Sequence, residues 1–340
     1  MVNELKLIDA HSHIYPRVYV DLLKARDRIP RVSEHEGREF FVIFEEEQAA
    51  GPGGGRPFDR TYWDLDEKIA FMDANGIART VVSLGNPWLD QFTGSDSPDL
   101  ARAVNGELAG YERRSGGRVL GMGVLPANGV AAAVEVAREV AGTPGLYGLV
   151  TGRRICGLTL DDEELEPFWA ALAKLDLPLL VHPHYAAAAD QLKGFGHALP
   201  VAVGFPFETT IAVARLVLAG VLHRHPDLRI IASHAGGVLP FLAGRLDAGW
   251  RSDPSIHARL SVPPSAELAK LYLDSVVYHE RSLRAAADLV GADQMVYGSD
   301  HPFSIADPAA NTAALIAAFD SDDAQQVAHG TAKRLFDLPS

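Results

Sequence analysis

The chain has 340 residues, of which 47% are hydrophobic and 22% charged, a composition typical of a globular protein with a large core. Its formal net charge of -13 argues against nucleic acid and against an anionic membrane surface as partners. The one cysteine, Cys156, excludes an intramolecular disulfide, and the N-terminus lacks the pattern of a signal peptide, so we expect a cytoplasmic protein.

The first predicted strand, residues 5–14, contains the motif His11-Ser12-His13 near its end. Residues two apart on a strand project to the same face, so both imidazoles point the same way. Neutral imidazole is a common ligand for zinc and similar ions. Two histidines at this spacing can hold one ion, but a complete site needs ligands from later in the chain.

Residues 15–64 follow this strand and have an irregular, polar sequence that includes the glycine-rich run 51–55. A long connection inside a compact domain is often a lid or a binding loop, and a disordered surface excursion is the alternative. The run 40–44 is too apolar to remain in water. We therefore expect it to form a short strand packed over the rest of the domain.

Short apolar strands then alternate with helices along the chain. The predicted strands are 5–14, 80–84, 119–125, 146–150, 178–181, 228–232, 271–275 and 295–297, and the predicted helices are 65–75, 100–114, 130–140, 162–174, 209–222, 239–246, 283–290, 311–318 and 324–335. No apolar stretch approaches the ~20 residues that span a bilayer, since the longest, 211–222, is broken by Arg215 and Gly220.

This alternation predicts an α/β protein with a parallel sheet buried on both faces. Eight units favour a closed (β/α)8 TIM barrel over an open doubly wound sheet, and no Gly-x-Gly-x-x-Gly motif opens a helix as a dinucleotide fold would require. The sequence therefore predicts one barrel domain over residues 1–340, with 15–64 as an insertion or lid after strand 1.

Polar residues follow the predicted strands at their C-terminal ends, where the active sites of such barrels lie. They are His11 and His13 on strand 1, His182 after strand 5, His234 after strand 6 and Asp300 after strand 8. His11, His13, His182 and Asp300 form a reasonable ligand set for one divalent ion, which leaves His234 as a titratable group beside it. Each motif alone has a structural explanation, such as a turn or a helix cap. Their shared location favours a metal site, in which His184, His197 and His301 could exchange roles with the chosen ligands.

Five motifs carry a resemblance to a known family. They are Ile8-Asp9-Ala10-His11-Ser12-His13, Leu180-Val181-His182-Pro183, Pro206-Phe207-Glu208-Thr209-Thr210-Ile211-Ala212, Ser233-His234-Ala235-Gly236-Gly237 and Gly298-Ser299-Asp300-His301-Pro302-Phe303. With these motifs the chain resembles the amidohydrolase superfamily, and within it the decarboxylase branch related to 2-amino-3-carboxymuconate-6-semialdehyde decarboxylase. The spacing between the motifs also agrees, so the resemblance covers nearly the whole chain.

The resemblance implies a single zinc or similar ion, with manganese the alternative, bound by His11, His13, His182 and Asp300. It implies that His234 is the catalytic acid/base, and we expect Asp300 to take part in catalysis as well as in binding. Relatives of this kind act on carboxylated aromatic or muconate-like acids and are often dimers. We therefore expect a small carboxylic acid substrate and a homodimer.

The chain also departs from the pattern of these relatives. An arginine that follows a phenylalanine in their first insertion and binds a substrate carboxylate is missing, because the pair here reads Phe40-Phe41. A second arginine, lent by the partner subunit, aligns near Asp253, with Arg251 close by. An apolar Phe41 would favour a less charged, aromatic substrate. The expected substrate contacts are Phe41, His184, Phe207, Glu208, Arg251 and His301.

The leading functional hypothesis is non-oxidative decarboxylation, in which His234 protonates the carbon that bears the carboxylate. The alternative is hydrolysis of an amide, lactone or carbon–carbon bond by water that the metal activates, with Asp300 or His234 moving protons. A third hypothesis is a non-catalytic binding barrel, which would require the motifs to be relics. The first two need the same metal ligands, so the sequence does not separate them.

Overall fold

A barrel of eight parallel strands forms the centre of the computed structural model, which describes residues 5–338. The strands, numbered β1–β8 in chain order, are Leu7–Ile14, Ile77–Leu84, Val119–Val124, Leu146–Thr151, Leu179–Val181, Ile230–Ala232, Tyr272–Asp274 and Met295–Val296. Each strand pairs in parallel with the next along the chain. The TIM-barrel prediction is therefore confirmed, and every predicted strand overlaps an observed one.

The barrel closes at the seam between β8 and β1. The amide of Ala10 donates to the Tyr297 carbonyl at 2.8 Å, and the amide of His13 donates to the His301 carbonyl at 2.7 Å. The amides of Ser299 and Asp300 both donate to the His11 carbonyl, at 3.1 and 2.8 Å. These bonds fix the ends of the first and last strands against each other.

Eight main helices surround the barrel. Numbered α1–α8, they are Leu65–Ala74, Ser97–Arg114, Val130–Ala141, Glu166–Leu175, Phe205–Leu218, Leu239–Ser252, Glu280–Val290 and Pro308–Ala318. Helix α1 begins after Asp64, whose carboxylate accepts hydrogen bonds from the Asp66 and Glu67 amides as an N-cap. Minor elements are the 3-10 turns Arg60–Tyr62, Glu163–Leu165, Ala189–Leu192 and Ala292–Gln294, the short helices Val221–Arg224, Pro254–His257 and Pro264–Leu268, the tight turn Ser233–Gly236, and the hairpin Arg154–Ile155 and Leu158–Thr159.

Two predicted helices differ from the observed ones. The predicted helix 209–222 divides at Gly220, which has φ +74 and lies so close to the Arg259 carbonyl that a Cβ there would be 2.4 Å from its oxygen. The predicted helix 324–335 consists of three short segments, Ser321–Gln325, the π-helical Gln326–Gly330 and Thr331–Leu335. Apolar periodicity locates such helices, but it does not report these local changes of winding.

Helix α5 continues from the π-helical residues Pro200–Gly204 and makes one apolar helix, Pro200–Leu218, of 19 residues. By length and composition alone this helix could cross a membrane, and it is longer than the 211–222 stretch singled out in the sequence. Val213, Leu216 and Val217 are buried inside the protein. Core helices of globular domains pass the same test of length and composition.

Residues 15–64 fold into ordered elements instead of the irregular connection expected from the sequence. The helix Arg17–Lys24 precedes an antiparallel sheet of Arg31–His35, Arg38–Val42 and Arg56–Pro57, and the helix Glu45–Ala49 lies between its last two strands. Part of the predicted strand 40–44 is therefore found within Arg38–Val42. The role of this segment as a lid stays a prediction.

Candidate metal centre

The C-terminal ends of four barrel strands bring together five titratable side chains. His11 and His13 lie on β1, His182 directly follows β5, His234 follows β6, and Asp300 lies four residues beyond β8. All five are buried. The structure thus brings four histidines and one aspartate together at one end of the barrel. The first and last of them, His11 and Asp300, lie more than 280 positions apart in the sequence.

The carboxylate of Asp300 lies at the centre of this group. Its Oδ1 is 3.4 Å from His11 Nε2, 3.2 Å from His13 Nε2 and 4.0 Å from His182 Nε2, whereas its Oδ2 is 3.7 Å from His234 Nε2. The ligand atoms of His11, His182, His234 and Asp300 all lie within 4.8 Å of one another. This buried set of three histidines and one aspartate could hold a divalent ion, and His13 adds a fourth imidazole 3.2 Å from His11 Nε2.

Several polar atoms in this group are buried and have no hydrogen-bond partner among the described residues. They are both ring nitrogens of His182 and Oδ1 of Asp300. An unsatisfied buried polar group costs about 1–3 kcal/mol, so atoms of this kind call for a ligand. Imidazole nitrogens and a carboxylate oxygen that face one another are ligands that suit a borderline divalent cation. The residues present therefore fit a metal ion.

The outer nitrogens of the two β1 histidines are held in place. His11 Nδ1 is 2.6 Å from Asp274 Oδ2, and His13 Nδ1 is 2.9 Å from Ser83 Oγ. A carboxylate that accepts the Nδ1 hydrogen leaves the Nε2 lone pair free to bind a metal, and it fixes the orientation of the ring. Nε2 of both rings is thereby directed at the centre of the group.

Burial and charge set the protonation of these ligands. Burial lowers the pKa of His13 to about 4 and holds the pKa of His182 well below its usual value. Burial opposes the charged form of His11 too, but the carboxylates of Asp274 and Asp300 outweigh it and raise that pKa to about 10. Although burial favours its neutral form, Asp300 has a pKa well below normal because the neighbouring imidazoles of His11, His13 and His234 stabilise its charged form. The carboxylates of Asp274 and Asp300 thus stabilise a positive charge in this group. A bound divalent cation would supply that charge in place of a proton on His11.

Asp274, at the end of β7, is a residue that the sequence analysis missed. Besides contacting His11, its carboxylate accepts the backbone amides of His234 at 2.8 Å and Ala235 at 3.0 Å. His234 and Ala235 both have left-handed backbone conformations, with φ +55 and +52, which non-glycine residues rarely adopt. Asp274 therefore holds the turn that presents His234. Its only signal in the sequence was a charged residue inside an otherwise apolar strand.

A cavity of about 280 Å³ adjoins the group on the side of His234 and Asp300. It is lined chiefly by apolar residues, among them Val201, Val276 and Ile305. His234 is 8% exposed, whereas His11 and His13 are fully buried. Among the cluster histidines, His234 is thus the one that borders the cavity.

The expected substrate contacts Phe41 and His184 lie outside this cavity. Phe41 is buried against Tyr15 and Phe58, with ring centroids 5.5 and 5.4 Å away. Arg56 pairs with Phe41 across the insertion sheet and holds its guanidinium 5.6 Å from the Phe41 ring centroid. An arginine therefore adjoins position 41 even though position 41 is itself phenylalanine.

His184 borders a second cavity of about 340 Å³, where its Nδ1 is 2.6 Å from Asp90 Oδ2. The Trp88 ring lies edge-on to both His182 and His184, at 5.7 and 4.9 Å between centroids. Trp88 thus contacts both His184 and the proposed ligand His182.

The structure shows contacts outside the five-residue group for Glu208 and His301, and exposure for Phe207 and Arg251. Glu208 is buried and pairs with Arg153 at 2.7 Å, while Phe207 and Arg251 are exposed on α5 and α6. The His301 ring stacks on Phe71 at 3.7 Å instead of joining its neighbour Asp300. Any contact that these residues make with a substrate stays a prediction.

Comparison with known proteins gives one consistent result. The family model described as "Amidohydrolase" matches residues 8–338. A 2-amino-3-carboxymuconate-6-semialdehyde decarboxylase from Dictyostelium discoideum is 27% identical over 306 residues, which cover 88% of this chain and 82% of that relative. A gamma-resorcylate decarboxylase from Rhizobium radiobacter is 29% identical over 294 residues, covering 80% and 87%. Among solved structures, the apo form of the IDCase of Metarhizium anisopliae is 34% identical and has a TM-score of 0.91, covering 98% of this chain and 97% of that one.

Metal analysis tests the centre directly. We expect about one equivalent of a divalent ion in the purified chain and a loss of most of it in His11→Ala and His182→Ala, because each change removes a ligand. Elemental analysis after dialysis measures this content. His257→Ala, which removes an exposed histidine outside the group, should keep the metal. Metal-free wild-type protein, even after reconstitution with zinc and manganese, would contradict the assignment.

Proposed function

The chain belongs to the amidohydrolase family, and on that premise we propose that it is a metal-dependent decarboxylase. The proposed reaction removes CO₂, without oxidation, from a carboxylated aromatic or muconate-like acid. The observation that carries this proposal is the common cavity of His234 and Asp300, where a proton donor adjoins a metal-binding carboxylate. The decarboxylase activities named for two curated relatives support the same reaction class.

The proposed ligands of the ion are His11, His13, His182 and Asp300, because these three imidazoles all face Oδ1 of Asp300. The nitrogen-rich set suits Zn²⁺, and Mn²⁺ is the alternative. When bound, a divalent ion acts as a Lewis acid that orients and polarises an oxygen of the substrate.

The proposed role of His234 is to deliver a proton to carbon. Its Nε2–H would donate to the ring carbon that bears the carboxylate, forming a C–H bond and interrupting the conjugation of the ring. The C–C bond to the carboxylate then breaks, its electron pair returns to the ring, and CO₂ leaves. His234 regains a proton from solvent, so the net reaction consumes one proton and yields CO₂ and the shortened product. Imidazole suits this exchange because its ordinary pKa lies near neutrality.

The walls of the cavity favour a planar, largely apolar acid. Val201, Val276 and Ile305 line it. Side chains of this kind bury an aromatic ring and leave its carboxylate to the polar end of the cavity. We propose a carboxylated aromatic as the first class of compound to screen.

We further propose that residues 15–64 act as a lid. Glu46 and Glu47 of the insertion meet Lys193 and His197 of the loop after β5, at 3.4 and 3.1 Å. These contacts join the insertion to a second loop at the C-terminal side of the barrel. This attachment supports the proposed lid.

An isotope experiment distinguishes decarboxylation from the alternative, hydrolysis. With a carboxylated aromatic that is turned over, we expect CO₂ release and, in D₂O, one deuterium on the carbon that lost the carboxylate. Mass spectrometry of the product measures this. Incorporation of ¹⁸O from labelled water into the remaining organic product would instead indicate hydrolysis. Full metal content without turnover of any carboxylated aromatic would favour a binding barrel.

The role of His234 predicts a selective loss of turnover. His234→Asn should keep the metal and lose about 100- to 10,000-fold in kcat, the usual contribution of a positioned acid/base. Steady-state CO₂ release and metal content, measured on the same samples, check this. The matched control is His257→Asn, an exposed histidine whose change should leave kcat unaltered. Near-normal turnover in a metal-replete His234→Asn would contradict the role.

We propose a homodimer of cytoplasmic location. An apolar surface patch supports the dimer, since Phe207 and Ile211 lie one turn apart on α5 and Phe241 lies near the start of α6. These side chains expose 45%, 47% and 89% of their surface in the single chain. The two helices are joined where the Val238 amide donates to Thr210 Oγ1 at 2.9 Å. A patch of this kind on a globular domain commonly marks an interface.

Charge in this patch should separate the subunits. We expect wild type at twice the chain mass and Phe241→Glu largely at the chain mass, because a carboxylate in an apolar interface is costly to desolvate. Light scattering coupled to gel filtration measures the mass. Phe195→Glu changes an exposed phenylalanine in the loop after β5 and should remain dimeric. An unchanged mass for Phe241→Glu would place the interface elsewhere.

A further inference from the structure

A fully buried lysine, Lys68 on α1, contacts two segments that carry proposed metal ligands, strand β1 and the loop after β8. Its Nζ is 2.9 Å from Ser12 Oγ, 2.6 Å from His301 Nδ1 and 3.3 Å from the His301 carbonyl oxygen. An ammonium group has three hydrogens, so these three acceptors can satisfy it completely. Lysine is almost never fully buried unless it is paired, because desolvating its charge is costly. The burial of Lys68 therefore suggests that its ammonium group has a specific role.

The partners of Lys68 are neighbours of ligands and are not proposed ligands themselves. Ser12 lies between His11 and His13 on β1, and His301 directly follows Asp300. The ammonium thus bridges, from outside the barrel, the two segments that carry three of the four proposed ligands. Ser12 Oγ also donates to the His301 carbonyl at 3.2 Å, so all three groups form one network.

Helix α1 holds His301 by a second contact. Phe71 lies one turn after Lys68, on the same face of the helix. Its ring stacks on the His301 imidazole with a centroid separation of 3.7 Å and an interplanar angle of 22°. His301 is therefore fixed through its ring nitrogen, its ring face and its carbonyl. The residue next to Asp300 has little freedom to rotate.

We propose that Lys68 is a positioning residue for the metal centre, which sets the spacing between the β1 histidines and Asp300. This role rests on the proposed metal centre but not on the reaction catalysed there. Metal binding needs ligand atoms placed to within a few tenths of an ångström, and groups behind the ligands commonly supply that precision. Lys68 performs this task at the seam of the barrel, with Phe71 assisting it.

The test uses Lys68→Met, which keeps the length of the side chain and removes the three donors. The variant and wild type are loaded with Co²⁺, and three quantities are measured: the visible absorption spectrum, the metal affinity by chelator competition, and Tm. We expect the affinity to fall about 10- to 100-fold, as for other groups behind metal ligands. We also expect the Co²⁺ bands to change in position and intensity, because the ligand geometry has loosened. Phe71→Leu should produce smaller changes in the same direction.

Glu267→Gln is the matched control. Glu267 is another buried ionisable group, 3.1 Å from His223 Nδ1 and 2.8 Å from Lys270 Nζ, but it precedes β7 and so lies toward the N-terminal end of the strands, away from the proposed ligands. Its loss should lower Tm and leave the Co²⁺ spectrum unchanged. If Lys68→Met lowers Tm in the same way but keeps the wild-type spectrum and affinity, the positioning role is wrong.

Two further results are informative. If Lys68→Met does not fold, Phe71→Leu decides the question, since an altered Co²⁺ spectrum supports the positioning role and an unaltered one overturns it. If wild type takes up no Co²⁺, the proposed metal centre is wrong, and the proposed positioning role of Lys68 is wrong as well. A working metal centre without decarboxylase activity would instead leave the role of Lys68 supported and the proposed reaction refuted.

Discussion

The closure of the barrel between β8 and β1 is the contact on which the metal centre depends. The carbonyl of His11 accepts the amide of Asp300 itself, at 2.8 Å, so the backbones of two proposed ligands are directly hydrogen-bonded. Inside the seam, the buried carboxylate of Asp9 accepts Ser299 Oγ at 2.6 Å and the Ser299 amide at 3.0 Å. The ligand side chains are close because their backbones are joined, at the point where the first and last strands of the chain meet.

Backbone conformation then directs two of these side chains into the cavity. His234 and Asp300, the cluster residues that line it, both have left-handed backbones, with φ +55 and +59. Such conformations cost about 1–3 kcal/mol each for non-glycine residues and persist only where neighbours hold them. Asp274 stabilises the conformation at His234 by accepting two backbone N–H hydrogen bonds, and the His11 carbonyl stabilises the conformation at Asp300 by accepting its amide hydrogen. The left-handed backbone conformations direct the side chains of His234 and Asp300 toward the cavity, where a substrate would bind.

The sequence predicted the eight strands because each is a short apolar run, and it predicted the five clustered residues because barrel topology collects strand ends. It did not reveal Asp274 or Lys68, since their partners lie far away along the chain and no local motif links them. In the insertion sheet, the sequence predicted part of one strand, the apolar run 40–44, and missed its two partners for a related reason. Those partners, Arg31–His35 and Arg56–Pro57, are short and polar, and Phe41 of the strand between them packs against the distant residues Tyr15 and Phe58. Long-range packing of this kind leaves no periodic signal.

Five side chains form the proposed site for one ion. Their environments differ in ways that bear on which of them bind the metal and which acts as the acid/base. His13 is fully buried and has Nδ1 next to Ser83, and burial lowers its pKa to about 4, so near neutrality its ring is uncharged and one nitrogen keeps a lone pair. His234 faces Oδ2 of Asp300, whereas the three other imidazoles face Oδ1, and it borders the cavity. An acid/base must reach the substrate, whereas a ligand must reach only the ion. This requirement supports the proposed roles of His13 as a metal ligand and His234 as the acid/base, although both lie within 4 Å of the same carboxylate.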